Sequence, residues 1–187
     1  MKKIIFCGII AIIIAVAVFG TTAYYSDNLV SGRNPLIAGN MDVEVIEKML
    51  DPVTGEQIDF SGPLAVMPAT QVSKIVTVRN VGTLPAYVRI SVEKTYELRQ
   101  KITGDPSLIG LDINTEYWIE QDGYYYYKAP LMAGSQTQPL FTVVSFAANM
   151  SNEYAGGKAI VSVNVDAVQA NENGHTALEA RGWPNTS

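Results

Sequence analysis

Twelve residues near the end of the chain, Lys158 to Gln169, set Ala159, Val161, Val163, Val165 and Ala167 against Ser162, Asn164 and Asp166. A period of two puts alternate side chains on opposite faces of an extended strand, one buried and one wet. The same rhythm recurs along the chain. Met41, Val43 and Val45 alternate with Asp42 and Glu44; Val72 to Asn80 repeats the pattern; and in Tyr87 to Glu93 the residues Val88, Ile90 and Val92 oppose Arg89, Ser91 and Glu93. Leu140 to Ala148 adds another run. Trp118 and Ile119 lead through Gln121-Asp122-Gly123 into Tyr124 to Tyr127, and an Asp-Gly pair supplies the positive backbone angles of a tight hairpin.

Segments rich in Pro, Gly, Ser and Asn punctuate these runs: Asp51 to Gly55, Ser61 to Thr70, Val81 to Pro85, Gly104 to Gly110, Pro130 to Pro139 and Asn149 to Gly157. Short strands separated in this way predict an all-β chain folded as an antiparallel β-sandwich. Leu98 and Ile102 stand at helical spacing, so Tyr96 to Ile102 is expected to form a short helical insertion. At 187 residues the chain suits one domain with a core of its own.

The beginning of the chain has a different character. Lys2 and Lys3 precede a nearly unbroken apolar run from Ile4 to Phe19, followed by the small residues Gly20-Thr21-Thr22-Ala23. Basic start, apolar middle and small-residue end make the layout of a secretory signal helix. Thr21 and Ala23 would fill the shallow pockets of a signal peptidase, and the mature chain would begin at Tyr24. An uncleaved anchor is the competing reading, because Thr21 to Tyr25 could lengthen the run toward the ~20 residues that cross a bilayer. The expected organisation is therefore a signal peptide at 1–23, an extended segment at 24–38, a β-sandwich at 39–170 and a tail at 171–187.

Cleavage after Ala23 removes Cys7, the only cysteine, so packing alone must hold an exported form together. It also leaves 11 basic against 18 acidic residues, a net charge of −7. Nucleic acid is not an expected partner of such a surface.

The usual parts of an active site are missing from the sequence. Its one histidine, His175, lies in the polar stretch Asn171 to Thr176 and reads as a solvated loop residue. There is no His-Glu-x-x-His helix, no cysteine pair and no Gly-x-Ser-x-Gly elbow. Glu44 and Glu47 read as the wet face of an acidic protein. No catalytic, cofactor-binding or metal-ligating residue is assigned, and no cofactor is expected. Tyr124 to Tyr127 are expected to pack across their hairpin, with a stacking platform for sugars or bases as the alternative.

Several stretches, taken in order, resemble one family. They are Thr22-Ala23-Tyr24-Tyr25-Ser26-Asp27, Gly39-Asn40-Met41-Asp42-Val43, Met67-Pro68-Ala69-Thr70, Asn80-Val81-Gly82-Thr83-Leu84-Pro85-Ala86, Pro139-Leu140-Phe141-Thr142 and Asp166-Ala167-Val168-Gln169-Ala170. Together they resemble the TasA/camelysin family of secreted bacterial proteins, over nearly the whole chain. The resemblance implies a jelly-roll of two antiparallel sheets and processing by a signal peptidase of SipW type. It also implies a homopolymeric fibre of the biofilm matrix, in which the N-terminal segment of one subunit completes a sheet of the next. An accessory matrix protein is a candidate second partner, and the expected location is the extracellular matrix or cell surface. Tyr24 to Ile37 is the candidate donor strand, with Tyr24, Tyr25, Leu29, Val30, Leu36 and Ile37 as its candidate contact residues. Alternative expectations are a camelysin-like surface metallopeptidase and a monomeric or membrane-tethered adhesion module. The chain is shorter than TasA, and its ending, Thr176 to Pro184, departs from the family pattern.

Overall fold

The structure is a computed structural model that describes residues 40–99 and 103–184. Ten strands follow in order: β1 (Val43–Leu50), β2 (Gln57–Asp59), β3 (Leu64–Ala65), β4 (Gln71–Asn80), β5 (Ala86–Glu97), β6 (Ile109–Leu111), β7 (Trp118–Gln121), β8 (Tyr124–Tyr127), β9 (Phe141–Phe146) and β10 (Lys158–Gln169). They form two five-stranded sheets, β2-β1-β4-β9-β6 and β3-β10-β5-β8-β7, in which every pairing is antiparallel. Apart from the β1–β2 and β7–β8 connections, which stay within one sheet, each connection crosses from one sheet to the other, giving the expected antiparallel β-sandwich.

The inward residues of both sheets interdigitate in a single core. Val76, Val78, Val88, Ile90, Leu140, Phe141, Val144 and Ala159 are fully buried in it. Trp118 is 1% exposed, donates its ring N–H to the Gln138 carbonyl at 3.1 Å and lies 5.0 Å from the Tyr127 ring. The β7–β8 hairpin turns at Asp122 and Gly123 with φ of 52° and 79°, as an Asp-Gly pair allows.

The expected helical insertion is corrected in part. Tyr96 and Glu97 continue β5, held by pairing with Ala159 and Lys158, and residues 100–102 lie outside the described residues. Partnering along β10 overrides the local helical spacing. Two 3-10 turns occur elsewhere, at Pro106–Leu108 and Asn152–Tyr154.

The tail beyond Ala170 packs on the outer face of the second sheet. Ala177 and Ala180 are buried against Tyr87, Tyr126 and Val168, and Trp183 meets Tyr126 edge-on at 5.6 Å. Arg89, 7% exposed, binds the tail to the sheet. Its Nε donates to Asp166 at 2.9 Å and its Nη2 to the Pro184 carbonyl at 2.7 Å, between the rings of Tyr124 and Trp183. Burial opposes the Arg89 charge, but the Tyr126 hydroxyl and the Asp166 carboxylate outweigh it and raise its pKa.

Candidate functional site

The ladder between β5 and β10 runs the full length of β10, from Lys158 opposite Glu97 to Gln169 opposite Ala86. Just past its end, Ala170 donates its N–H to the Pro85 carbonyl at 3.0 Å. Hydrogen-bonding direction alternates along a strand, so the even-numbered residues of β10 face β5 and the odd-numbered ones face away. Val66 donating to the Gly157 carbonyl on the far side confirms the parity. On that far side β3 pairs only with Lys158 and Ala159. Among the described residues no strand pairs with Ile160 to Gln169 there, which leaves the N–H groups of Val161, Val163, Val165 and Ala167 without a ladder.

The facing edge of the other sheet is similarly bare. β2 covers Lys48 to Leu50 of β1, and the Phe60 N–H takes the Glu47 carbonyl at 3.1 Å. No described strand pairs with Val43 to Ile46 on that side. The chain from Phe60 to Pro63 then crosses between the sheets and closes one end of the groove.

Burial follows this cover. On the inward face of β10, Ala159 and Val161 beside β3 are 0% and 5% exposed, whereas Val163, Val165 and Ala167 farther along are only half-buried. Val43 and Val45 across the groove are half-buried as well. A cavity of about 560 Å³ occupies the closed end, lined by Val45, Glu47, Phe60, Lys74, Val161 and Val163 among others.

Lys74 on β4 projects into that end and is 2% exposed. Its ammonium donates to the Val161 carbonyl at 2.9 Å, pairs with Glu47 at 2.8 Å and stands 4.1 Å from the Phe60 ring centroid. A carboxylate, a carbonyl and an aromatic face together replace the water that a buried ammonium loses. Glu47 is thus not simply a wet-face carboxylate, whereas Glu44 on the outer face pairs with Arg79.

The open end of the groove is where the sandwich begins. Asn80 is fully buried; its side-chain amide donates to the carbonyls of Leu84 and Leu131 at 2.8 and 2.9 Å, and its Oδ1 accepts from the Gly82 N–H at 2.9 Å. The Asn-Val-Gly turn so fixed grips the entering chain. Val81 and Gly82 donate to the Asp42 carbonyl, both at 3.0 Å, and Thr83 donates to the Asn40 carbonyl at 2.8 Å. A Cβ on Gly82 would run into the Asn40 carbonyl oxygen and sit 2.7 Å from the Asp42 nitrogen, so only glycine permits this approach.

Other edges are short or covered. β2, β3, β6 and β7 have two to four residues each. Beyond β6 the Asp112 carboxylate accepts from the N–H groups of Thr142 and Val143 at 2.8 and 2.6 Å, which caps β9. Short edges and side-chain caps are common protections against unwanted strand pairing. Among the described residues the run of β10 from Ile160 to Gln169 has neither beyond Lys74.

Thr21, Ala23, Tyr24, Tyr25, Leu29, Val30, Leu36 and Ile37 lie outside the described residues. His175 is exposed, and its backbone N–H bonds Glu179 at 2.9 Å. The four hairpin tyrosines are absorbed by packing: Tyr125 and Tyr127 lie against the main core, Tyr124 and Tyr126 against the tail. Among the described residues no group of three His, Cys, Asp or Glu side chains could hold a metal ion, and no helix is long and apolar enough to cross a membrane. No family model, curated protein or solved structure matches the chain.

Proposed function

We propose that the protein is a secreted subunit of an extracellular fibre, assembled when the Tyr24 to Ile37 segment of one copy adds as a strand to the bare edge of β10 in the next. The observation that carries this reading is the row of odd-numbered β10 residues, whose backbone groups and half-buried side chains meet no described strand. Strand addition satisfies both needs, since the backbone ladder gives affinity and alternate side chains fill the groove.

Polarity supports a neighbouring copy as the donor. β10 runs toward the open end, and the chain enters the sandwich at that same end through Asn40. A segment leading directly into Asn40 could lie along β10 only parallel to it. Antiparallel pairing, the mode of every described ladder, calls for a segment arriving from another subunit. Tyr24 to Ile37 is long enough: 14 residues span roughly 46 Å extended, against roughly 30 Å for Val161 to Gln169. Its Leu29, Val30, Leu36 and Ile37 supply apolar contacts. Signal cleavage before Tyr24 frees the segment, so export and assembly share one processing step. The resemblance to the TasA/camelysin family leads to the same role in a biofilm matrix.

Deletion of Tyr24 to Arg33 from the mature chain tests this reading by electron microscopy. A folded monomer without fibres is the expected result. Normal fibres from the deleted chain would remove the segment from the mechanism.

A further inference from the structure

Lys74 occupies a hydrogen-bonding position that an added strand would need. An antiparallel partner placed opposite Val161 would donate to the Val161 carbonyl and accept from the Val161 N–H. The carbonyl already receives the Lys74 ammonium at 2.9 Å, and Glu47 at 2.8 Å and the Phe60 ring hold that ammonium in place. The next odd-numbered position back, Ala159, is covered by Leu64 of β3. The first unobstructed position along β10 is therefore Val163.

We propose that Lys74, positioned by Glu47, is the register stop of the β10 edge: it fixes the register in which a donor strand of a second copy pairs with β10. The inference rests on the strand-addition reading and adds its specificity determinant. A period-two strand can slip by two residues and still present the same face, so apolar alternation alone does not choose one register. A side chain holding one edge carbonyl does. The lysine also shields the groove's inner end from indiscriminate edge pairing, as inward-pointing charges on edges do. It is a positioning residue, and no group on it reacts.

Removal of the signal segment leaves a cysteine-free chain, so disulfide mapping can read the register. Asn164 is exposed, and its even-numbered position makes it a close, non-hydrogen-bonded pair with an added strand, the geometry that suits a disulfide. Mature chains carrying Asn164→Cys and one further cysteine, scanned from Asp27 to Ile37, would be assembled, oxidised and run on non-reducing gels. With Lys74 present, cross-linked ladders are expected mainly at one scanned position, and Ser162→Cys should select the residue two places later. With Lys74→Met the donor should also occupy the next register inward, so that Asn164→Cys additionally captures the residue two places earlier. The Glu47→Gln/Lys74→Met pair removes both charges and serves if the single variant does not fold, with near-ultraviolet circular dichroism checking the monomer. A lysine with only a structural role would alter stability and leave the cross-linked position unchanged. An unchanged single position in folded Lys74→Met or double-variant fibres overturns the stop while leaving strand addition standing. Absence of intersubunit cross-links at every scanned position with Lys74 present overturns strand addition and the stop together.

Discussion

Proline substitution at neighbouring positions of β10 separates its two edges. Val165 directs its N–H away from β5, whereas Asn164, opposite Ser91, directs its N–H into the ladder. Proline removes a donor and fixes φ, and is tolerated where the N–H faces solvent. In the monomer, Val165→Pro sacrifices no described hydrogen bond and trims a half-buried side chain, at a cost of about 1 kcal/mol. Asn164→Pro leaves the Ser91 carbonyl without its partner, for about 1–3 kcal/mol, and distorts the longest ladder of the sheet as well. For assembly the order reverses. A donor along Val163 to Ala167 gains roughly six backbone bonds at about 0.5–1.5 kcal/mol each, before the ordering cost. Loss of one bond and displacement of its neighbour by the ring removes about 1–3 kcal/mol, which raises the critical concentration roughly 5- to 150-fold. Urea unfolding of the monomer and sedimentation of fibres measure the two effects separately. If Val165→Pro destabilises the monomer as much as Asn164→Pro, the Val165 N–H is already paired within the subunit. If it folds and polymerises at the unaltered critical concentration, the β10 edge is not the joint.

Three further outcomes follow from the geometry. Gly82→Ala drives a Cβ into the Asn40–Asp42 backbone and should cost about 2–4 kcal/mol in urea unfolding, the worth of the three backbone bonds that grip the entering chain. Burial, with Tyr154 and Asp105 adding to it, pushes the Tyr96 phenol up to about 12. Its folded-state pKa lies above the unfolded value near 10, so that contribution is present below about pH 10 and lost as pH rises toward 12; Tyr96→Phe should flatten this alkaline slope in pH-dependent unfolding. Ending the chain at Ala170 uncovers Tyr87, Tyr126 and Val168, which should lower stability by about 2–4 kcal/mol and create binding of a hydrophobic dye to the monomer.

The parts of the fold legible in the sequence are those where one strand buries one face. β10 spans Lys158 to Gln169, the bounds of its alternation, and β8 spans the four tyrosines after the Asp-Gly turn. β2, β3 and β6 have two or three residues each, too few for a period to show, and they exist because long neighbours offer them an edge. The extension of β5 through Glu97 likewise depends on β10, about 60 residues away in sequence. At the candidate site the sequence carried one unused signal. Lys74 shares the inward face with Val72, Val76, Val78 and Asn80, and a lysine there announces a buried partner. That its partner is an edge carbonyl could not be read locally, because among the described residues the unpaired edge of β10 is defined by where β3 stops pairing. The tail was opaque for a similar reason. Ala177, Ala180 and Trp183 show no periodicity; the two alanines pack with Tyr87, Tyr126 and Val168, and Trp183 lies over Arg89, a residue that alternation places on a wet face.

Amide hydrogen exchange at single-residue resolution along β10 tests strand addition most directly. In the monomer lacking Tyr24 to Arg33, the even-numbered amides from Ile160 to Val168 should be protected by β5, and those of Val163, Val165 and Ala167 should exchange freely. In fibres of the mature chain the three odd-numbered amides should gain protection of about 100-fold or more, equivalent to roughly 3 kcal/mol, and alternation along the strand should vanish. Fibres in which Val163, Val165 and Ala167 exchange as fast as in the truncated monomer would contradict the account.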